Sequence, residues 1–519
     1  MSQSREHALP DTTRRQLLRG GLGATTLAML GVSTSLLAGC GGGDDAPPAA
    51  GSAPVPPATN PPAVTPEAEV KAPTLLGRAV LPADSFVAGP TSGQFISGGD
   101  YDRATNVYRY ALPFNARQPM QGFSAIIPGP KAGTFYALQD NGFGGRGASP
   151  DALLHIYAVS FDWAAGRVVP VHFQTGAPLA AFTPESYIRL SDPDRRIGYP
   201  IVADMASYPG TSVSPAGQTI PVDSAIVNGR LLTGYDIDPE SMQLDASGNL
   251  WIGDEFGPFL LKFDRQGRLL AREVQMPNLR RLGANPLVQT PNNPYLVANG
   301  TTAQANLGGS GGLESLAINA SRTRLYGMYE KEVAGDDVRS RIINVFNLGT
   351  LNFETSYRYR VGSGQRLNGD GNLETEYYSV NDMVAVNDRE FLVVEKDSGA
   401  GDVRTGKFAA SNTWRNAARF KRIFKISLDR VDADGFLVKE EVADLMQLLD
   451  PARLGASDTI DGVFAYPMEC IEAIAIVDAR TLLLVNDNNY PGGSPSRMPS
   501  GVDANEFVMI RLPKPLAVA

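Results

Sequence analysis

The chain is expected to fold as an all-β protein, a β-propeller of four-stranded antiparallel blades, and three observations lead there. A unit made of an acid or small polar residue, an alternating strand, a tight turn, a returning strand and a terminal acid recurs five times. The midpoint of each unit falls on a turn, at Ala132-Gly133, Ser247-Gly248, Ser321-Arg322, Asn387-Asp388 and Asp478-Ala479. The 54 glycines and 38 prolines favour many turns over long helices.

The clearest unit spans residues 236–267. Glu240 opens its first strand, Asp245-Ala246-Ser247-Gly248 makes the turn, and residues 250–253 return to Asp254-Glu255. A hairpin brings its open ends together, so Glu240 and Asp254-Glu255 are expected side by side at one end of the sheet. A third strand follows at 259–263, before a turn at 264–267. The other units pair 123–127 with 134–138 and Asp140, 314–318 with 325–329 and Glu330, 382–386 with 391–394 and Glu395, and 472–476 with 482–485 and Asp487. Third and fourth strands are expected at 154–161 and 167–173, at 341–346 and 354–361, and at 421–428 and 435–442. The last unit offers only 506–512 after its hairpin, so residues 75–81 are expected to supply its outer strand and close the ring. Five repeats are clear, and a degenerate sixth blade has room in 95–112 or in 187–232.

The expected organisation is a leader over 1–39, a Pro/Ala/Gly-rich tether over 40–73 and the propeller over 74–519. Thr13-Arg14-Arg15-Gln16-Leu17-Leu18-Arg19 is a twin-arginine pattern ahead of an apolar stretch, and Leu37-Ala38-Gly39-Cys40 resembles a lipobox. Cleavage there would leave Cys40 lipidated and the propeller tethered to a membrane. The expected location is therefore the bacterial envelope, either periplasmic or as a membrane-anchored lipoprotein. With Cys40 so used, Cys470 is left alone, no intramolecular disulfide forms, and Cys470 reads as a small core residue just before a strand.

Charge and composition exclude several functions. A net charge of -9 argues against nucleic acid as a partner. Of 3 histidines, His7 lies in the leader, and His155 and His172 read as ordinary strand positions. Histidine-rich zinc sites and Ser-His-Asp chemistry lose their candidates. Gly308-Gly309-Ser310-Gly311-Gly312 formally fits the G-x-S-x-G nucleophile pattern, but it is a glycine-rich loop before a strand and no histidine follows it. No organic cofactor is expected, and the protein reads as a monomer.

Loop lengths choose the working face. Connections at the turn end are short (245–248, 264–267, 387–389), and those at the acid end are long (141–151, 174–235, 277–311, 397–420, 488–505). Glu240, Glu255, Glu314, Glu330, Asp382, Glu395, Glu472 and Asp487 are expected to ring that mouth. So many carboxylates need compensation, because like charges and desolvation both oppose ionisation. A hard cation such as Ca²⁺ suits them, with these eight acids as candidate ligands. Basic side chains are a second compensation: Lys331 and Lys396 each follow a ring acid, and Arg146, Arg339, Arg341, Arg404 and Arg497 lie on loops of the same face. Capping of backbone amides in the next blade is the third, and is purely architectural. Bound cations would turn the mouth into an anion site able to polarise a phosphate ester. Glu240, Glu255, Glu314, Lys331 and Lys396 are the candidate catalytic residues, acting on a small anionic ester.

The segments GFSAIIPGPKAGTFYALQDNG (122–142), DIDPESMQLDASGNLWIGDEFGPFLLKFDRQGRL (236–269), GLESLAI (312–318), NDMVAVNDREFLVVEKD (381–397) and IEAIAIVDARTLLLVNDNNYP (471–491) resemble the family called esterase-like activity of phytase. The DPES…LWIGDEFGP portion is the most specific of them. The resemblance implies an exported or envelope β-propeller that hydrolyses a phosphoric or carboxylic ester, and it transfers no catalytic residue from the calcium-dependent propeller phytases. Two other functions fit the same sequence: a non-catalytic envelope propeller capturing a ligand, metal or partner, and a lactonase-type metal-dependent enzyme. Turnover of a phosphate ester, binding without turnover, and turnover of a lactone tell the three apart.

Overall fold

The computed structural model describes residues 72–96, 101–102, 107–108, 112–120, 122–209, 219–368, 370–405, 416–491, 496–497 and 502–519. The leader, Cys40 and the tether up to residue 71 lie outside the described residues. Among those described, no helix is long and apolar enough to cross a membrane.

Among the described residues, five four-stranded antiparallel blades build the fold. From the axis outward, the first blade is Phe123–Pro128, Phe135–Gln139, His155–Asp162 and Arg167–Pro170. The second is Pro239–Leu244, Leu250–Asp254, Phe259–Phe263 and Val274–Gln275. The third is Leu313–Ile318, Arg324–Tyr329, Ser340–Asn347 and Asn352–Arg360. The fourth is Ser379–Ala385, Glu390–Lys396, Lys421–Val431 and Leu437–Asp444. In the fifth, Cys470–Asp478, Thr481–Asp487 and Asn505–Arg511 are completed on the outside by Thr74–Leu81, antiparallel to Asn505–Arg511. The innermost strands neighbour one another in that order and return to the first, so the ring is a five-bladed β-propeller closed by its N-terminal strand.

The second strands, and the third strands of all but the fourth blade, are buried on both faces and so are largely apolar rather than alternating, whereas the outer strands Asn352–Arg360 and Leu437–Asp444 are polar and more exposed. Each seam between neighbouring blades has its own core. Ala125, Leu138 and Ile127 meet Met242, Ile252 and Leu261 between the first and second blades. Trp251 and Leu260 pack on Leu316 and Leu325 at the next seam, and Met328 and Ile343 on Met383 and Val393 at the third. Leu392 and Val394 meet Ile474 and Leu484 at the fourth, and Val485 and Phe507 meet Phe123 and Ile126 at the last. The turns use left-handed glycine where the hairpin demands it: Gly248 has φ +80° behind the Asp245 side chain, which accepts from the Ser247 and Asn249 amides.

The closure carries a buried ion network. Glu506 takes both Arg78 (2.6 Å) and Arg497 (3.0 Å), and those guanidinium groups hold its carboxyl down at about 2 against the desolvation that opposes them. Arg78→Met leaves a buried carboxylate with one partner and loosens the closing strand. It is expected to cost about 3 kcal/mol, read as a lower midpoint in urea.

Three expectations change. A sixth blade does not form among the described residues: Tyr187–Arg189 adds beside His155–Asp162 of the first blade, and residues 190–209 and 219–232 hold loops, isolated bridges, a 3-10 turn at Val202–Asp204 and the short helix Ser224–Gly229. Among the described residues of 95–112, the strands are the pair Tyr101–Asp102 and Val107–Tyr108. Cys470 begins the innermost strand of the fifth blade rather than preceding it, and is half-buried. His172 lies just beyond Arg167–Pro170, whereas His155 is a buried strand residue whose imidazole is pushed down to about 3 by desolvation and so stays neutral.

Candidate metal centre

Near its start, every innermost strand slips register against its partner. The slips lie between Phe123 and Ala125, Pro239 and Ser241, Leu313 and Ser315, Val380 and Met383, and Ile471 and Ala473. The extra residues are Ser124, Glu240, Glu314, Asn381 with Asp382, and Glu472. A bulge re-aims a side chain that a regular strand would send into a blade seam. Two glycines permit the crowding around these bulges. A Cβ on Gly122 would stand 1.4 Å from Asp487 Oδ1, and one on Gly312 would stand 2.2 Å from the Glu255 carbonyl oxygen.

Carboxylates from four blades meet there. Asp140, Asp238 and Glu240 each offer an oxygen, the three lying within 4.8 Å of one another; so do Glu240, Glu314 and Glu472, and so do Glu255, Glu314 and Glu330. Glu240 and Glu314 are shared, and one continuous chain of acids results. Asp238, Glu255, Glu314 and Glu472 are buried, while Asp140, Glu240 and Glu330 are half-buried and open toward the mouth.

The electrostatics follow from that packing. Desolvation pushes the carboxyls of Asp238, Glu240 and Glu314 well above the usual range, and neighbouring charges add to it: Asp140 for the first two, Glu472 and Glu330 for Glu314. Glu255 is pushed up to about 8 by desolvation and Glu330, against the pull of Lys331. Lys331 Nζ lies 3.8 Å from Glu330 Oε2, at the rim. Arg146 approaches from the first blade's loop, its guanidinium 4.2 Å above the Tyr235 ring and bonded to the carbonyls of Tyr235 and Asn292. Asp238 Oδ1 is buried and has no hydrogen-bond partner. An all-oxygen, strongly anionic donor set with an orphaned buried oxygen fits a hard divalent cation.

The other predicted residues lie elsewhere. Asp382 accepts from the Met383 amide at 2.7 Å and the Ile474 amide of the next blade at 2.9 Å, the architectural capping role. Glu395 is taken by Tyr359, the Gly362 amide and Lys439 at the seam of the third and fourth blades. Asp487 accepts from the Asn489 amide at 2.7 Å beneath Gly122. Lys396 is buried, with Nζ 3.8 Å from Cys470 Sγ. Arg341, Arg404 and Arg497 pair with Glu332, Asp402 and Glu506. Ser310 donates at 3.5 Å to Glu255 from an exposed loop, with no histidine beside it.

Sequence reasoning left out three contributors. Asp140 stands out as the terminal acid of its unit yet has no acid facing it on its own inner strand, where Ser124 stands. Asp238 precedes Glu240 by two residues within the same DIDPES run, the one available signal for it. Asn381 is uncharged, but it occupies the fourth blade's bulge beside Asp382.

A family model described as esterase-like activity of phytase matches residues 118–490. An uncharacterized secreted protein of Arthroderma benhamiae is 29% identical over 159 residues, a match covering 28% of this chain and 30% of the relative. Among solved structures, a luciferin-regenerating enzyme aligns over 84% of this chain and 94% of its own at 10% identity and a TM-score of 0.29. The periplasmic gluconolactonase of Pseudomonas aeruginosa aligns over 82% and 99% at 12% identity and a TM-score of 0.23.

Proposed function

The chain belongs to the phytase-like family described as esterase-like activity of phytase, and we propose from that premise that it hydrolyses phosphate or related esters at the carboxylate-lined mouth, with hard cations of the calcium type. The observation that supports this most is the continuous chain of buried and half-buried carboxylates fed by four blades. Asp140, Asp238 and Glu240, and beside them Glu255, Glu314 and Glu330, would hold the cations. A bound divalent cation polarises the ester and lowers the pKa of its water.

The chain's own residues orient the substrate. Lys331, beside Glu330, and Arg146, over the Tyr235 ring, would hold phosphate oxygens that the acids alone would repel. Glu255 holds a proton near neutral pH at its carboxyl and must release it when a cation binds there. Calcium uptake at pH 7 is therefore expected to release protons, measurable as a buffer-dependent heat by calorimetry. Uptake with no proton release would contradict the assignment of Glu255.

The test of function is turnover by the purified full chain of a phosphomonoester, a carboxylic ester and a sugar lactone, each with calcium and with a chelator. Calcium-dependent turnover of the phosphomonoester supports the reading; lactone turnover or binding without turnover replaces it. Lys331→Met is expected to raise KM for the anionic ester about tenfold, with a smaller change in kcat. Export to the envelope belongs to the same reading. It is supported by the twin-arginine and lipobox patterns before Gly41 and by the secreted relative, and a palmitate label lost in Cys40→Ala would test the anchor.

A further inference from the structure

The five bulges stand at equivalent positions around the propeller axis, and their residues differ in kind. Glu240, Glu314 and Glu472 come from the second, third and fifth blades, and their carboxylate oxygens lie within 4.8 Å of one another. Asn381, from the fourth blade, reaches into that group. Its Nδ2 donates to Glu314 Oε1 at 3.0 Å and to Glu472 Oε2 at 2.6 Å. Its Oδ1, on a side chain 1% exposed, has no hydrogen-bond partner. Ser124, the first blade's bulge residue, is also 1% exposed and its Oγ is likewise without a partner. These are two of several buried side-chain oxygens without a hydrogen-bond partner, and they stand at two of the five equivalent bulge positions, Asn381 directly against the carboxylates.

We propose that these bulges form a second, axial cation site: Glu240, Glu314 and Glu472 with the amide oxygen of Asn381, and Ser124 at the fifth position, taking a hard cation of the calcium class. The amide's two ends exchange by a half-turn, so Asn381 can present its amine to the carboxylates or its oxygen to a cation they surround. Three carboxylates and neutral oxygens match the preference of Ca²⁺ for six to eight mixed oxygen ligands. The site ties all five innermost strands together at the axis, so its role is to fasten the ring. It shares Glu240 and Glu314 with the proposed ester site but does not require hydrolysis.

The test counts ions. Equilibrium dialysis of the full chain against ⁴⁵Ca²⁺ is expected to show one class of site lost in Glu472→Gln, while Asp238→Asn loses a different class and keeps the axial one. Asn381→Asp adds a fourth carboxylate to the axial group and is expected to tighten that class about tenfold. A Glu472→Gln protein that folds and binds calcium with wild-type stoichiometry and affinity overturns the axial site. So does an Asn381→Asp protein of unchanged calcium affinity, which would leave Asn381 as a plain hydrogen-bond donor. If Glu472→Gln fails to fold, Asn381→Asp decides alone. Failure of the ester reading looks different: no turnover of any ester, with the Glu472-dependent calcium still bound.

Discussion

Glu314→Gln is expected to lose at least about 100-fold in calcium-dependent ester turnover while the chelated protein becomes no less stable than the unmutated chain. The two effects have one cause. Glu314 faces Glu472, Glu330 and Glu255 in a desolvated setting, and its carboxyl is pushed well above the usual range. Its ionised form is a liability to the fold unless a cation compensates, so the neutral amide removes repulsion along with a ligand. Glu240→Gln should behave alike, since Asp140, Asp238 and Glu314 crowd it in the same way. Asp382→Asn is the contrasting case. Asp382 accepts from two backbone amides across the seam between the fourth and fifth blades, and its amide would offer only one accepting oxygen. That change is expected to cost about 1–3 kcal/mol in urea unfolding. If Glu314→Gln and Glu240→Gln instead unfold like Asp382→Asn, all these acids are architectural.

Stability of the chelated protein is expected to fall as pH rises from about 4.5 to about 8, the window set by Glu255. In the folded state Glu255 keeps its proton up to about 8, whereas an ordinary glutamate loses it near 4.5. Between those values the folded state binds more protons than the unfolded one, so unfolding becomes easier with rising pH. One such group contributes a slope on the order of 1.4 kcal/mol per pH unit within its window, and Asp238, Glu240 and Glu314 shift in the same direction. Glu506 acts oppositely. Its carboxyl is held down at about 2, so its stabilisation is present above about 4.5 and is lost as pH falls toward 2. The chelated protein should therefore be most stable in mildly acid solution. Calcium should flatten the alkaline side. Urea titrations at pH 5, 6, 7 and 8, with chelator and with calcium, check both statements; identical slopes with and without calcium would contradict them.

Much of the fold was legible in the sequence because a propeller repeats its local rules. The acid-to-acid spans found all five inner hairpins, since Asp245 and Asn387 fold tight turns whose register fixes both strands. The shortfall of a fourth strand after 506–512 foretold the closing role of Thr74–Leu81. The site was legible only as a face. Which terminal acids reach the axis depends on single-residue bulges and on partners from other blades, and neither leaves a pattern along the chain. Glu395 and Glu330 close equivalent hairpins, yet Tyr359 and Lys439 draw Glu395 into a seam, while Glu330 stays with Glu255 and Glu314. Asn381 carries no charge to flag it, and its place is visible only from the bulge it shares with Asp382.

The most direct measurement is thermal melting of the purified full chain in calcium and in chelator at pH 7.5. A mouth that holds hard cations predicts a midpoint higher in calcium by several degrees and rising with calcium concentration, since a ligand bound only by the folded state adds stability by mass action. A midpoint unchanged between calcium and chelator, in a chain that retains no divalent metal on purification, would contradict the metal centre and leave the carboxylates to a binding or architectural role.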